Sequence, residues 1–435
     1  MTSRRLPGDF LLGCATAAHQ VEGGTDNDWS RWARDHPEKI ADNSDAQTAC
    51  DHYRRYRDDL AVLAALHQNA HRFSVEWSRV EPQPGCFDRG ALQHYADVVR
   101  TCRGLGMEPV VTLHHFTFPP WLASRGGAAH PDAPRLFARY ASACAGAFGS
   151  GVEWWITLNE PVVLAYMGHL AGRWPPGGRS VPRTLATLRG LARMHAAGYR
   201  ALHDAAMRRG GVARVSVAHH ERRLVPRRGH AADRVAAALP DFLFNRWFLR
   251  SCVTGRLLPP VGTGAPVPGL RASLDYLGLN YYCEDIVRFD AASSATLFAK
   301  PLSDTDAPRS TFGWPIDPGG LRRAIDALWR EFRLPILISE NGVADNDDDL
   351  RPQFIVDHLS AVIDAINDGA DVRGYLYWTA WDNFEWAEGY TQRFGLFSVD
   401  PHTQQRTARA SAALYAGICA TKAVPPAARA TARPG

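Results

Sequence analysis

The sequence lacks long apolar runs and any strong excess of charge. No stretch approaches the about 20 apolar residues that a membrane span needs, so we expect no transmembrane helix. The chain has 49 basic residues, only three of them lysine, against 45 acidic residues, and its net charge is +4. Because these charges are interspersed, a nucleic-acid partner or a membrane-surface partner is not favoured.

Paired cysteines and nucleotide-binding loops are also missing. The eight cysteines are scattered, with no C-x-x-C pair, in a chain too large to depend on disulfides. Pro7 and Asp9 interrupt the short apolar stretch near the N-terminus, so we interpret it as mature protein rather than as a secretion signal. We therefore expect reduced thiols and a cytoplasmic protein. No G-x-G-x-x-G or P-loop follows the first predicted strand, and we predict no cofactor.

What the sequence does contain is a regular alternation of short apolar, β-branched runs with longer helical patterns. This alternation is typical of βαβ units, and eight such units favour a single closed (β/α)8 TIM barrel with elaborated βα loops. The predicted strands are Phe10–Ala15, Ala70–Val75, Pro109–His114, Glu153–Thr157, Arg214–Ala218, Tyr276–Asn280, Ile336–Ser339 and Gly374–Trp378. The predicted helices are Tyr53–Leu66, Ala91–Gly106, Pro134–Phe148, Leu185–Arg208, Leu321–Phe332 and Phe354–Asp368.

The residues in excess of a minimal barrel are assigned to loops and to a short tail. Pro, Gly and Ser are frequent in Gly168–Arg183, Val253–Leu270 and Ala291–Asp317, which we predict to be βα loops. We assign residues 1–422 to the catalytic barrel. Residues 423–435, rich in Ala, Arg and Pro, are expected to form a disordered C-terminal tail.

Two glutamates follow predicted strands at the end where barrel enzymes carry their active sites. Glu160 follows the fourth strand and Glu340 follows the seventh. Cleavage of a glycosidic bond needs one carboxylic acid and one carboxylate, so this pair suits that chemistry. The acid must have its pKa raised, by burial and by its negative neighbour. The alternative is that each glutamate only caps a helix or pairs with an arginine.

Five motifs carry a resemblance to a known family. They are Phe10–Gly23, Arg72–Arg79, Thr157–Pro161, Ile338–Gly342 and Trp378–Trp386, in that order along the chain. Together they resemble glycoside hydrolase family 1, the β-glucosidase and β-galactosidase family, from Phe10 to Ala412. The resemblance implies a retaining β-glycosidase that acts on β-D-glucosides or related neutral β-glycosides, small or oligomeric.

The resemblance also implies a role for each catalytic residue. Glu340 would attack the anomeric carbon, and Glu160 would first protonate the leaving group and then activate water. Arg72 would keep Glu340 ionised, and Tyr282 would donate a hydrogen bond to it. Asn159 would bind the sugar 2-hydroxyl. We predict that the two carboxylates meet within about 5.5 Å around the sugar.

The implied sugar-binding residues combine amides, a histidine, a carboxylate and aromatic rings. Trp378 would be the stacking platform, and Glu385 would repel a sugar 6-phosphate. The third-strand motif departs from the family, which more often has Trp-Asp after the histidine, here His115. The full set is Gln20, His115, Asn159, Asn280, Trp378, Glu385, Trp386 and Phe394.

Metal sites are not favoured. The pairs His114–His115 and His219–His220 lie at the ends of predicted strands, and adjacent side chains on a strand point to opposite faces and do not chelate together. The acidic run Asp345–Asp349 lacks the glycine and the glutamate of an EF-hand, so we expect a solvated loop.

Two other functions remain open at this level. The chain could be a transglycosidase, which passes the sugar to an acceptor other than water. It could also be an inactive sugar-binding module, although both glutamates are present. The trimmed length of the loops leaves the leaving-group preference open.

Overall fold

The computed structural model describes residues 4–293, 296–302 and 307–426, and within them eight parallel strands close into a barrel. The strands are β1 (Leu11–Ala15), β2 (Ala70–Ser74), β3 (Glu108–His114), β4 (Trp154–Asn159), β5 (Arg214–His220), β6 (Leu277–Asn280), β7 (Ile336–Asn341) and β8 (Val372–Trp378). Each strand pairs with the next in chain order, and β8 closes on β1. The predicted barrel and its eight strands are confirmed.

The ends of three strands differ from the prediction in a way that matters for the site. β4 continues to Asn159, β5 to His220 and β7 to Asn341, each two residues beyond its predicted end. The prediction stopped where the apolar run stopped. In the structure, polar residues complete these strands because parallel neighbours satisfy their backbone groups.

The strands bury apolar residues on both faces. Small and branched side chains form one inward-facing cluster, which includes Ala15, Ala70, Val110, Ile156, Ala218, Leu337 and Leu376. A larger apolar core lies between the strands and the surrounding helices. Filling the interior in this way leaves room for chemistry only beyond the carboxyl ends of the strands.

The helices surround the barrel. They are Ala18–Val21, Asp28–Asp35, His52–Ala65, Trp77–Val80, Arg89–Gly104, Pro120–Ala123, Ala133–Phe148, Pro161–Ala165, Val181–Met207, Ala231–Asp241, Trp247–Thr254, Pro318–Phe332, Arg351–Asn367 and Ala410–Thr421. All six predicted helices are confirmed. Asp88 caps Arg89–Gly104 by accepting a 2.8 Å hydrogen bond from the Ala91 backbone N–H. The helix Ala410–Thr421 was not predicted, because its alanine-rich sequence has little apolar periodicity.

The predicted loops carry some regular structure. Tyr166–Leu170 is a π-helical turn, and Ala299–Pro301 forms a small sheet with Leu224–Pro226 and Asp285–Phe289. Phe397–Val399 pairs with Arg406–Ala408. Parts of the predicted loop Ala291–Asp317, residues 294–295 and 303–306, lie outside the described residues.

Two sequence expectations need correction. Ala423 and Val424 pair with Arg5 and Arg4, so this part of the predicted tail belongs to the folded chain, while residues 427–435 lie outside the described residues. The run Asp345–Asp349 is not a solvated loop throughout. The buried Asp345 carboxylate accepts hydrogen bonds from the backbone N–H groups of Leu350 and Arg351, at 2.9 and 3.0 Å, and so caps the next helix.

None of the helices in the described part of the chain combines the length and the apolar character that a bilayer span requires. All eight cysteines lie within the described residues and none is in a disulfide; seven are buried and Cys86 is exposed.

Candidate active site

The two glutamates lie where the sequence analysis expected them, at the carboxyl ends of β4 and β7. Glu160 follows β4 directly, and Glu340 is the next-to-last residue of β7. Both side chains are almost fully buried, at 8% and 4% exposure. A hydrogen-bonded network of side chains from β2, β4 and β6 connects them.

The Glu340 carboxylate is held at both oxygens. Oε1 accepts a hydrogen bond from Arg72 Nη1 at 2.5 Å, and Oε2 accepts one from the Tyr282 hydroxyl at 2.7 Å. The chain then turns closely past β8, because a Cβ at Gly342 would lie 1.8 Å from the Trp378 carbonyl oxygen. Only glycine allows this approach, which explains the glycine that follows Glu340 and Asn341.

Arg72 is the centre of the network. Its side chain has no exposed surface, and its guanidinium donates to Thr112 Oγ1 at 3.0 Å, to the Ser339 carbonyl at 3.0 Å and to Asn159 Oδ1 at 2.7 Å. Together with Glu340 these four acceptors fix the guanidinium in place. Arg72 therefore brings a permanent positive charge to a buried site.

The contact with Arg72 also sets the orientation of the Asn159 amide, and through it which nitrogen of His115 carries the proton. Because Asn159 Oδ1 accepts from Arg72, its Nδ2 is the group that donates to His115 Nε2, at 3.0 Å. His115 Nε2 must then be unprotonated. Burial first, and the charge of Arg72 second, hold the pKa of His115 well below its usual range. The neutral ring therefore carries its proton on Nδ1.

Glu160 is held differently from Glu340. Its Oε1 accepts from Asn280 Nδ2 at 2.8 Å, and its Oε2 lies 3.3 Å from His220 Nδ1. The residue has a left-handed backbone, with φ of +41°, at the junction of β4 and the next helix. Such conformations store strain and concentrate at functional sites.

The pKa values of the two carboxyls are linked. Burial raises the pKa of Glu340 to about 7 against the attraction of Arg72, and the charge of Glu160 adds to the rise. Burial alone would raise the pKa of Glu160 also, but its contacts with His220 and with the Asn280 amide hold it below its ordinary value. The expectation of a raised pKa at Glu160 is wrong in this structure, because the sequence analysis did not include His220.

A second group of polar residues lies at the ends of β1 and β8. Gln20 Nε2 donates to Asn383 Oδ1 at 3.0 Å, to the Phe384 carbonyl at 2.9 Å and to Glu385 Oε2 at 3.1 Å. Burial, and then the charge of Glu340, raise the pKa of Glu385 to about 8. Gln20 Oε1 is buried and has no hydrogen-bond partner within the described residues.

Aromatic rings enclose these polar groups. Trp378 and Trp386 both stack on His115, with ring centroids 5.9 and 6.0 Å apart. Phe394 packs edge-on against Tyr282 at 6.1 Å. Trp174 is buried, and its ring centroid lies 5.8 Å from that of Trp386, so it packs against a residue of the site.

The structure thus brings together every residue that the sequence analysis assigned to the site. Seven of them form one hydrogen-bonded network: Arg72, His115, Asn159, Glu160, Asn280, Tyr282 and Glu340. Gln20 and Glu385 form the second polar group, and Trp378, Trp386 and Phe394 supply the rings.

The sequence analysis missed two residues of the site. His220 ends β5, but the predicted strand stopped at Ala218, so the rule that polar residues follow barrel strands was not applied to it. Trp314 is half-buried in the loop after β6, with its ring 5.5 Å from that of Tyr282. No periodicity in that loop indicates its position.

The adjacent histidines have separate partners, as predicted for neighbours on a strand. His114 packs on Phe118, away from the site. His219 Nε2 contacts Glu221 at 3.2 Å, whereas His220 faces Glu160. Among the residues that the structure describes, no group of three or more His, Cys, Asp or Glu side chains could hold a metal ion.

Comparison with known proteins gives one consistent result. A family model described as Glycosyl hydrolase family 1 matches residues 2–424. Beta-glucosidase A of Thermotoga maritima is 30% identical over 447 residues, which cover 96% of this chain and 98% of that protein.

Two solved structures are similar over nearly their whole length. A beta-glycosidase from Pyrococcus horikoshii has 34% identity and a TM-score of 0.89, covering 98% of this chain and 97% of that chain. A beta-glucosidase from Thermotoga maritima in complex with glucoimidazole has 29% identity and a TM-score of 0.88, covering 96% and 99%. The fold, the order of the site residues along the chain and the match over residues 2–424 agree: this chain belongs to glycosyl hydrolase family 1.

Proposed function

We propose that the protein is a retaining β-glycosidase that hydrolyses β-D-glucosides or related neutral β-glycosides through a covalent glycosyl-enzyme. The observation that carries this proposal is the pair of buried carboxylates, Glu160 and Glu340, on one hydrogen-bonded network. A retaining mechanism needs two such groups on either side of a bound sugar.

In the first step Glu340 is the nucleophile. Its oxygen attacks the anomeric carbon while Glu160 transfers a proton to the departing oxygen. Arg72 and Tyr282 support this role because both donate to the Glu340 carboxylate and stabilise its ionised form. The reaction uses the form of the pair in which Glu160 carries the proton and Glu340 is ionised, the reverse of the form that their pKa values in this structure favour.

In the second step Glu160 is the base. Having lost its proton, it accepts one from a water molecule that attacks the anomeric carbon and releases Glu340. Water and leaving group use the same face of the sugar, so two inversions give net retention. The hydrogen bond from Asn280 supports Glu160 as a carboxylate in this step.

Unpartnered polar atoms support a sugar as the ligand. Gln20 Oε1 and His115 Nδ1 are buried without partners in the described residues, one an acceptor and the other a donor. Buried polar atoms are otherwise nearly always paired, and sugar hydroxyls can satisfy both kinds. The stacked Trp378 and Trp386 offer apolar surface to the sugar ring.

Glu385 supports a neutral sugar. Its carboxyl lies beside Gln20, where burial and the charge of Glu340 raise its pKa to about 8, so a phosphate on the sugar would bring negative charge to a place that already disfavours it. The relatives named as β-glucosidases, one of them solved with glucoimidazole, also support a glucoside as substrate.

Neither alternative function is favoured. An inactive sugar-binding module does not need two carboxylates held in a network with Arg72. Transfer to another acceptor would use the same residues, but the relatives above are named for hydrolysis or as glycosidases.

The anomer released first tests the mechanism. Proton NMR of an aryl β-glucoside reaction should show the β-sugar first, followed by slow mutarotation. Initial release of the α-sugar would mean direct displacement by water, and Glu340 would then not be a nucleophile.

We also propose a cytoplasmic location, supported by the eight free thiols. Cell fractionation with an antibody to the chain would test it, and recovery of the protein from the culture medium would contradict it.

A further inference from the structure

His220 lies beside the proposed acid/base residue, in a position that neither the motifs nor the family match assigns. Its side chain is 10% exposed and its Nδ1 lies 3.3 Å from Glu160 Oε2. The centroid of the imidazole lies 5.6 Å from that of the Phe244 ring and 5.7 Å from that of the Tyr282 ring. The imidazole therefore packs on two aromatic neighbours, with one nitrogen near the carboxyl.

The two oxygens of Glu160 have different surroundings. Asn280 Nδ2 donates to Oε1, and it also lies 3.2 Å from Asn159 Oδ1, an atom that accepts from Arg72. The Asn280 amide is thus fixed with its N–H group towards Glu160, and Oε1 is always an acceptor. The proton that Glu160 gives and takes must then be on Oε2, which is the oxygen at His220.

An imidazole nitrogen suits a carboxyl oxygen that changes its protonation state. It can accept a hydrogen bond from the protonated acid, and after a change of tautomer it can donate one to the carboxylate. An amide such as Asn280 offers only one of these to a given oxygen. This difference is the physical reason for a histidine at this position.

We propose that His220 is a positioning residue for Glu160, which holds Oε2 at the leaving-group side of the site in both steps of the reaction. This inference rests on the proposed function. His220 acts through Glu160 and needs no contact with the sugar.

Other charged groups near His220 are already paired. Glu221 pairs with Arg246 at 2.6 Å, and Arg222 pairs with Asp285 at 2.7 Å. Across Tyr282 lies Glu340, which Arg72 neutralises. Glu160 is thus the carboxylate that His220 contacts directly.

The experiment uses two substitutions and two substrates. His220→Phe keeps the aromatic volume and removes the nitrogen, and His220→Asn places an amide N–H where Nδ1 was. A phenyl β-glucoside needs acid catalysis to lose its phenol, whereas a dinitrophenyl β-glucoside does not. The ratio of kcat/KM for the two substrates therefore reports on the acid role of Glu160 alone.

For the phenyl substrate we expect His220→Phe to lose about tenfold in kcat/KM, a part of the full acid–base contribution. For the dinitrophenyl substrate we expect kcat/KM to stay within about twofold. For that substrate kcat should fall about fivefold, because Glu160 must still activate water in the second step. KM should fall by a similar factor, because the glycosyl-enzyme then accumulates. Added azide, which needs no base, should restore this kcat. His220→Asn, whose amide N–H can donate to the Glu160 carboxylate but cannot accept from the protonated acid, should share the loss on the phenyl substrate and keep the wild-type kcat on the dinitrophenyl substrate.

His219→Asn is the matched control, because His219 contacts Glu221 and not Glu160. It should leave the ratio unchanged. Three results would each overturn the proposal: equal loss on both substrates in His220→Phe, no loss in His220→Phe, or a fall in kcat on the dinitrophenyl substrate that is as large in His220→Asn as in His220→Phe. If the wild-type enzyme does not retain configuration, the proposed function fails instead, which the NMR experiment detects separately.

Discussion

Glu340 and Glu160 are two buried carboxylates of one site, yet their surroundings differ in kind. Glu340 contacts Arg72, whose charge is permanent, and Tyr282, a donor. Glu160 contacts a neutral amide, Asn280, and a histidine, His220, which can gain or lose a proton. A residue that must remain ionised is held by fixed charge, and a residue that must change protonation is held by adaptable groups.

The difference follows from the strands that supply the neighbours. Arg72 lies on β2 and extends across the barrel interior, where it has no exposed surface and cannot be neutralised. His220 lies at the end of β5 with part of its ring exposed. Glu340 is thus held by an arginine from the barrel interior, and Glu160 by a histidine at the end of a strand.

Removing the nucleophile should have the largest effect. Glu340→Gly should reduce hydrolysis of an aryl β-glucoside by about 100,000-fold, because no other group can form the covalent intermediate. The same variant, given an α-glucosyl fluoride and an alcohol acceptor, should synthesise β-glycosides. Near wild-type hydrolysis by this variant would show that Glu340 is not the nucleophile.

Removing the acid/base should give a smaller effect that depends on the substrate. Glu160→Ala should lose about 1,000-fold in kcat/KM on a phenyl β-glucoside and less than about tenfold on a dinitrophenyl β-glucoside. Azide should speed turnover of the second substrate and give the β-glycosyl azide, which NMR identifies. Equal losses on the two substrates would contradict an acid role.

Much of this site could be predicted from the sequence, since the chemistry requires particular residues after particular strands. Glu160, Glu340 and Arg72 lie within short motifs, and the barrel brings the ends of distant strands to one face. The sequence does not indicate how far a strand continues once its apolar run has ended. β5 continues for two residues past Ala218, and this extension carries His220.

The pKa values of Glu160 and Glu340 were harder to predict than the identity of the two residues. Burial of Glu160 suggests a raised pKa, and the effect of His220 reverses the direction. Asp345 shows the same difficulty, since an acidic run predicts solvation, whereas its carboxylate is buried and accepts hydrogen bonds from the backbone at the start of the following helix. Both outcomes depend on neighbours distant in sequence or on local geometry that composition does not encode.

Weakening the support of Glu340 should have a moderate effect. Tyr282→Phe removes a 2.7 Å donor to the carboxylate and should lower kcat/KM about tenfold, as for loss of a hydrogen bond to a charged group. Loss of a donor to the ionised form raises the pKa of Glu340 further. Since the nucleophile must be ionised, the acid limb of the kcat/KM profile should move to higher pH. An unshifted limb would mean that Tyr282 does not stabilise the charge.

The smallest effect concerns stability and a third carboxyl. Among the described residues neither an arginine nor a histidine is seen to contact the Glu385 carboxyl, and its pKa is raised from 4.5 to about 8. The folded protein therefore holds this proton more tightly than the unfolded chain, so stability should fall as pH rises from about 4.5 to about 8 and then level off. Glu340 adds a decline of the same sign. Glu385→Gln removes the titrating group but keeps its shape, and should recover about 3 kcal/mol at pH 8 relative to pH 5, measured by urea unfolding. An equal decline in variant and wild type would mean that folding does not raise the pKa of Glu385.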